Sequence, residues 1–216
     1  MREKFKKKQF RYIDRREMID EIWFWIAIGF FSFVALAWFL HSVFKGLRYE
    51  TFQAVGLVFI ILSLSLPDTI GAYSELPYYT IIAASLALLA LVMILLGVLT
   101  SHRRWIKQKG TTNLNKFKNL MIFAYVRHPI TLGLIIICFS LIFLLNSILS
   151  NVLAIMAIIS FFLSSYEKDS LFQDSFGYPY RLYMKKVPRF NIIHGLIRSI
   201  IAREEEVAKE GEEVFF

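Results

Sequence analysis

The chain has 216 residues, 56% of them hydrophobic, and its mean hydropathy is +0.53. A soluble domain of this length does not need so much apolar sequence, so the composition excludes an ordinary soluble protein and predicts an integral membrane protein. The net charge of +8 is concentrated in residues 1–16 and 101–120. Both basic segments flank apolar stretches, which indicates contact with anionic lipid headgroups and argues against nucleic acid as a partner.

Five apolar segments follow one another along the chain, at about 22–44, 52–66, 77–100, 130–146 and 150–165. Several approach or exceed the roughly 20 residues that span a bilayer as a helix. The last two are separated only by a short polar break between Asn146 and Asn151, which predicts a helical hairpin that returns to the side it left. The predicted fold is therefore all-α, a polytopic membrane protein of about five helices with a C-terminal helical hairpin.

Polar segments divide the chain into four predicted regions. The part from 101 to 203 contains the basic loop, the hairpin 130–165, a polar segment 166–192 and a tail helix. The regions are a basic juxtamembrane arm at 1–21, N-terminal transmembrane helices at 22–100, this functional part at 101–203, and an acidic tail at 204–216.

The distribution of basic residues leaves the topology open. The basic loop 101–120 and the polar segment 166–190 lie on the same side, because one hairpin separates them, and their Lys and Arg residues favour the cytoplasm. The arm at 1–16 is equally basic, yet three apolar segments precede residue 101. Either segment 52–66 does not fully cross, or the basic arm lies outside against the positive-inside rule.

Residues suited to chemistry stand at the polar ends of the predicted hairpin. Ionisable residues at a bilayer boundary are costly to hold there and are usually functional, which favours an enzyme at the membrane surface. The ordered set comprises Tyr125-Val126-Arg127-His128-Pro129-Ile130-Thr131-Leu132-Gly133, Glu167-Lys168-Asp169-Ser170-Leu171, Phe176-Gly177 with Tyr180 and Tyr183, and Val187-Pro188-Arg189-Phe190.

This ordered set resembles the isoprenylcysteine carboxyl methyltransferases and their relatives among phospholipid and small-thiol methyltransferases. The resemblance covers roughly residues 120–192. It implies an α-helical membrane methyltransferase that binds S-adenosylmethionine on the cytosolic side and takes a lipidic or hydrophobic acceptor from the bilayer. It also implies Arg127, Glu167 and Arg189 as catalytic residues. The implied cofactor contacts are Tyr125, His128, Pro129, Leu132, Gly133, Glu167, Tyr180 and Tyr183.

The residue types themselves suit a zwitterionic cofactor. Methyl transfer from a sulfonium is an in-line displacement that needs positioning and a dry site. Glu167 is an anion available for an amino group, and backbone N–H groups around Leu132 and Gly133, near a helix start, suit a carboxylate. Gly133 is equally compatible with close helix packing. Arg127 suits a carboxylate of either the acceptor or the cofactor, or a headgroup at the span boundary.

Local patterns add three structural expectations. Pro129 fits the first turn of a helix, where its missing N–H is harmless. Tyr180 and Tyr183 share a face if 178–186 is helical. Arg189 is expected to close over the cofactor or to pair with Glu167 or Asp174. The histidines outside the motif lack metal-ligand spacing, so no metal site is predicted.

Two departures from the family pattern keep other functions open. Thr131 stands where the family has tyrosine, and Lys168 stands where it usually has a second acid. They favour a catalytically inactive relative as one alternative. Another is an NADPH-dependent membrane lipid or sterol-type reductase on a related scaffold, although Arg127, Arg181 and Arg189 are few for a phosphate-rich cofactor.

Overall fold

The computed structural model describes residues 2–65, 77–108, 121–145, 147–197 and 200–201. All regular elements in these ranges are helical, which confirms the predicted all-α class. A 3₁₀ turn at Met121–Ala124 precedes the fourth helix, and a short tail helix covers 192–197. The main helices are α1 (Arg2–Lys45), α2 (Arg48–Ser65), α3 (Pro77–Gln108), α4 (Pro129–Leu144), α5 (Ile148–Phe176) and α6 (Tyr178–Lys186).

Three helices are long and apolar enough to cross a membrane. They contain the stretches Ile22–Lys45, Tyr78–Ser101 and Ile148–Phe176. This confirms the membrane character of the chain and three of the five predicted segments. The apolar helix α4 has 16 residues, a length of about 24 Å against a hydrocarbon core of about 30 Å. Full crossing by α4, and hence a transmembrane hairpin of α4 and α5, stays a prediction, and both alternatives for the segment 52–66 stay open.

Helix α5 continues well past the predicted end of its apolar segment at 165. It runs without a break to Phe176, so the first residues of the predicted polar segment 166–192 form its last turns. No Gly or Pro interrupts this stretch until Gly177, whose positive φ of 62° ends the helix. Glu167 and Asp169 therefore lie within the helix, and the helical geometry sets the sides of α5 on which they lie.

The helices pack in a chain of pairs, with α1 on α2, α2 on α5, α5 on α4 and α4 on α3. The buried core lies between α2, α4 and α5. Phe161 of α5 is completely buried there, and its ring fills the space beside Gly56 of α2, where a Cβ atom would come within 2.6 Å of it. The lone cysteine, Cys138 of α4, is buried in the same core.

Hydrogen bonds fix the relative direction of α2 and α5. At one end, Ser63 and Ser150 each donate a hydroxyl bond of 3.1 Å to the other's carbonyl oxygen. At the other end, the Ser164 hydroxyl donates to the carbonyl oxygen of Tyr49 over 2.8 Å. The two helices are therefore antiparallel, and α2 begins beside the end of α5 that carries Asp169.

The first two helices form a tight antiparallel pair. Gly46, with φ of 66°, turns the chain between them. Ser42 and Thr51 share a hydroxyl hydrogen bond of 3.1 Å, and Trp38 Nε1 donates to Glu50 over 3.4 Å. The turn at Gly46 therefore also lies at the Asp169 end of the bundle.

Glycines allow α3 and α4 to approach closely. A Cβ atom on Gly133 would come within 2.6 Å of Ile94, and one on Gly97 within 2.6 Å of Ile130. Gly133 thus has the helix-packing role that was one of its two interpretations. The first part of the predicted basic loop 101–120 is wrong, because α3 continues as a helix to Gln108. The rest of that loop, 109–120, and the acidic tail at 204–216 lie outside the described residues.

Candidate functional site

The centre of the site is the carboxylate of Asp169, whose side chain is 2% exposed. Its Oδ2 atom accepts a hydrogen bond of 2.8 Å from Arg127 Nη1. The same oxygen accepts from Arg189, through Nε at 2.9 Å and Nη2 at 2.8 Å. One carboxylate oxygen therefore joins two guanidinium groups that are 62 residues apart in the sequence.

The other carboxylate oxygen is also fully engaged. Asp169 Oδ1 accepts from His128 Nε2 at 2.8 Å and from the Tyr180 hydroxyl at 2.7 Å. We call these five side chains, Asp169 with Arg127, His128, Tyr180 and Arg189, the Asp169 cluster. It unites the segment before α4, the last turns of α5, helix α6 and the segment after α6.

Backbone pairing brings the two arginine-bearing segments together. The Arg127 N–H donates to the carbonyl oxygen of Pro188 over 3.1 Å, and the His128 N–H donates to that of Arg189 over 3.4 Å. Pro129 then begins α4, as its sequence position predicted. The geometry of the cluster is thus set by main-chain bonds as well as by the ion pairs.

Helix α6 supplies two buried tyrosines on one face, as predicted. The rings of Tyr180 and Tyr183 lie 5.7 Å apart between centroids. Tyr180 reaches Asp169, whereas the Tyr183 hydroxyl donates to the carbonyl oxygen of Phe123 over 2.7 Å. Tyr183 therefore ties α6 to the 3₁₀ turn rather than joining the cluster.

The cluster carries more positive than negative charge. Two guanidinium groups face one carboxylate, so one positive charge is left uncompensated. The Arg127 side chain is only 9% exposed. Its Nε atom is buried and has no hydrogen-bond partner among the described residues. A buried donor without an acceptor is costly, and an anionic ligand would satisfy it.

The second arginine leans on an aromatic ring. The guanidinium carbon of Arg189 lies 3.6 Å from the centroid of the Tyr166 ring. Tyr166 is 58% exposed, so this stacked pair forms the open side of the cluster. Phe190 packs edge-on against Phe162 at 4.9 Å, which continues the aromatic surface along α5.

Burial controls the protonation of the two neutral donors. Burial lowers the pKa of His128 and outweighs the opposing effect of the hydrogen bond that His128 donates to the Asp169 carboxylate. Burial, together with the hydrogen bond to Asp169, raises the pKa of Tyr180 far above its usual value. His128 is therefore neutral near pH 7. Because the Asp169 carboxylate can only accept a hydrogen bond, Nε2 of His128 carries the proton and Nδ1 of His128 keeps a lone pair.

The structure brings together four of the predicted site residues: Arg127, His128, Tyr180 and Arg189. It gives Arg189 the partner Asp169, so the expected pairing with Glu167 or Asp174 is wrong. The Leu132 N–H donates to the His128 carbonyl oxygen within the first turn of α4 and is not available to a carboxylate.

The other predicted residues surround the cluster. Glu167 is half-buried on α5 and makes no hydrogen bond or ion pair with any side chain of the Asp169 cluster. It lies two residues before Asp169, about 200° away around the helix, and therefore faces a different side. The carbonyl oxygen of Tyr125 faces Gly195 of the tail helix.

Sequence reasoning missed Asp169. The signal was present in the helical period, because Phe161, Ser165 and Asp169 recur every four residues and all are buried. Ending the apolar segment at 165 concealed that this stripe continues to Asp169. In the part of the chain that is described, no three His, Cys, Asp or Glu side chains come together in a way that could hold a metal ion.

Comparison with known proteins assigns no relative. The chain matches no family model, no curated protein and no solved structure.

Proposed function

We propose that the chain is an integral membrane methyltransferase that uses S-adenosylmethionine and acts on a lipidic or hydrophobic acceptor. The observation that carries the proposal is the convergence of Arg127, His128, Tyr180 and Arg189 on Asp169. These are motif residues from three separate segments, gathered at one end of a set of apolar helices. Positive-inside bias supports the cytoplasm as the side of this site.

The donor set of the cluster suits the carboxylate of an amino-acid-like cofactor. Arg127 offers the unpartnered Nε in a buried position, and Arg189 contributes the charge that Asp169 leaves uncompensated. Charge-assisted bonds from arginine to a carboxylate are among the stronger hydrogen bonds in proteins. Glu167 is the acid proposed to bind the amino group; because it faces a different side of α5 from the cluster, this part of the proposal is supported by the sequence motif and not by the cluster geometry.

The chemistry requires little of the protein beyond positioning. When bound, S-adenosylmethionine supplies an activated methyl group on a sulfonium. The main-chain bonds from Arg127 to Pro188 and from His128 to Arg189 keep the two arginines in a fixed arrangement. The lone pair on His128 Nδ1 could take up a proton that the methylated molecule releases.

The test is calorimetric binding of S-adenosylhomocysteine to the purified full-length protein in detergent. We expect a micromolar Kd, about −8 kcal/mol at 25 °C. Arg127→Lys removes the Nε donor and keeps the charge, so it should weaken binding at least tenfold. Glu167→Gln should do the same, because the amino group loses its anion.

Asp174→Asn is the matched control, since Asp174 is an exposed acid on the same helix. It should bind as the unsubstituted protein does. Absence of binding by protein with a normal unfolding transition contradicts the proposal, as does equal binding by all variants.

One observation favours a second candidate, a non-catalytic membrane protein. Each oxygen of Asp169 already accepts from two side chains, so the cluster is sufficient as a structural joint between four segments. In that case the Arg127→Lys variant should change the unfolding temperature, while neither it nor the unsubstituted protein binds S-adenosylhomocysteine.

A further inference from the structure

The tail helix presents an apolar stripe that the proposed function does not use. Ile193, Ile197, Ile200 and Ile201 are 71%, 50%, 57% and 49% exposed. Within the helix 192–197, Ile193 and Ile197 lie one turn apart on the same side. Ile200 and Ile201 are also helical, and their spacing of seven and eight residues from Ile193 matches that side. Four large aliphatic side chains exposed together mark an interaction surface rather than scattered surface residues.

The opposite side of this helix is fixed to the protein. Gly195 is buried, and a Cβ atom there would overlap the carbonyl oxygen of Tyr125. At about 100° per residue, Gly195 points almost directly away from the mean direction of the isoleucines. The start of the helix is fixed too, because Asn191 Oδ1 accepts from the His194 N–H over 2.9 Å. The direction of the stripe is therefore determined by the fold.

The position of the helix identifies what faces the stripe. Tyr125, its docking point, lies four residues before the start of α4 at Pro129. Phe190, just before the helix, packs on Phe162, whose ring is 40% exposed on the apolar surface of α5. The segment that leads into the tail helix therefore lies against the exposed apolar surface of α5.

We infer that the tail helix is an interfacial membrane helix, with its isoleucine stripe buried in the lipid boundary at the Asp169 end of the bundle. A helix with one apolar side at that level is the pattern of membrane-surface helices. The exposed basic residues Arg181 and Lys186 of α6, close by in the chain, suit anionic headgroups. The inference is independent of methyl transfer and of any cofactor.

In this arrangement the tail helix also positions the segment that carries Arg189. Its inner side touches Tyr125, two residues before Arg127, and the segment leading into it carries Arg189. Insertion of the stripe into lipid would hold that segment against the Asp169 cluster. The helix is thus a positioning element whose support comes from the bilayer.

The test is site-directed spin labelling of the full-length protein in vesicles of phosphatidylcholine and phosphatidylglycerol. Single substitutions Ile193→Cys, Ile197→Cys and Ile200→Cys each receive a nitroxide. The native Cys138 is buried and is not replaced. The unsubstituted protein, treated with the same label, should give no nitroxide signal, which verifies that Cys138 does not react. His194→Cys is the control, since His194 is exposed on the same helix beside the stripe.

Collisions with oxygen report lipid, and collisions with a water-soluble nickel chelate report water. We expect the oxygen-to-nickel ratio to be severalfold higher at the three isoleucine positions than at His194. Equal ratios at all four positions would place the stripe in water and overturn the inference. Spin–spin broadening at Ile197→Cys that disappears on dilution with unlabelled protein would overturn it as well, because a second copy would then cover the stripe.

Discussion

The two ends of α5 are held by different kinds of polar contact. At the Ser150 end, neutral hydroxyls bond to carbonyl oxygens of α2, and each bond satisfies one donor. At the Asp169 end, one carboxylate accepts from four side chains, two of them charged. Both ends are buried, and both leave polar atoms without a partner among the described residues: Ser147 Oγ and Asn151 Oδ1 at the first end, and Arg127 Nε at the second. Only the second end carries charged groups.

The two ends of α5 are therefore expected to respond differently to substitution. Hydrogen bonds between membrane helices contribute on average about 0.6 kcal/mol, because the separated helices find other partners. Loss of one partner from a buried ion pair costs about 3–5 kcal/mol, since a charge is left buried and uncompensated. The Asp169 end should therefore be the fragile one, and substitutions along α5 test this.

The largest effect is expected from Asp169→Asn. It removes the only negative charge of the cluster and leaves two guanidinium groups facing each other, so we expect a loss of about 3–5 kcal/mol in unfolding free energy. Reaction of buried Cys138 with a thiol-reactive dye during heating reports unfolding. Asp174→Asn, exposed on the same helix, should change the free energy by about 0.5 kcal/mol or less. Equal transition temperatures for the two variants would show that the cluster is not the fragile end.

Gly195→Ala is the next largest change. The added Cβ would overlap the Tyr125 carbonyl oxygen, and backbone cannot move aside as a flexible side chain can. Overpacking of this kind costs about 1–3 kcal/mol. The same dye assay measures it, with Gly29→Ala as control, because no atom lies within 4 Å of a Cβ at Gly29. A transition unchanged from the unsubstituted protein would mean that the tail helix does not stabilise the Asp169 end.

The sequence predicted the long helices and much of the site, for reasons that are local. Uninterrupted apolar runs predicted α1 and α3, and Pro129 predicted the start of α4. The spacing of Tyr180 and Tyr183 predicted a shared face, and the structure shows that both side chains are buried. Each of these depends only on neighbours within a few positions.

The features that escaped prediction depend on contacts between distant segments. Asp169 was passed over because hydropathy ended the segment near 165, while the helix continues for eleven residues more, to Phe176. The exchange of bonds between Ser63 and Ser150 depends on the register of two helices separated by 87 positions. No local pattern specifies that register, so a serine in an apolar run does not indicate its partner.

A smaller effect is expected in the pH dependence of the unfolding free energy, through the buried His128 at the Asp169 end of α5. Because burial lowers the pKa of His128 below its unfolded value of about 6.5, the unfolded chain binds the proton first. Stability should therefore fall as the pH drops below about 6.5, by up to about 1.4 kcal/mol per unit. His128→Gln should flatten this slope between pH 5 and 7, whereas His194→Gln should not. Identical slopes in all three proteins would assign the pH dependence to another group.

The smallest effect is expected at the Ser150 end. Ser63→Ala removes one of the two exchanged bonds and should cost about 0.6 kcal/mol. Ser85→Ala is the matched control, because the Ser85 hydroxyl is exposed and bonds only to Ile81 in its own helix. If Ser63→Ala lowers the transition temperature as far as Asp169→Asn does, the proposed contrast between the ends is wrong.

The turn at Gly46 has a consequence for how the chain is inserted into a membrane. The turn lies at the Asp169 end, so α1 approaches that end from the far side of the bundle. Helix α3 also finishes at the Asp169 end, since Gly97 lies against Ile130. If α1 and α3 both cross, the cationic residues 1–16 and the cationic residues 101–120 are delivered to opposite compartments. Biosynthesis would then have to translocate the first of them against the charge bias that retains the second.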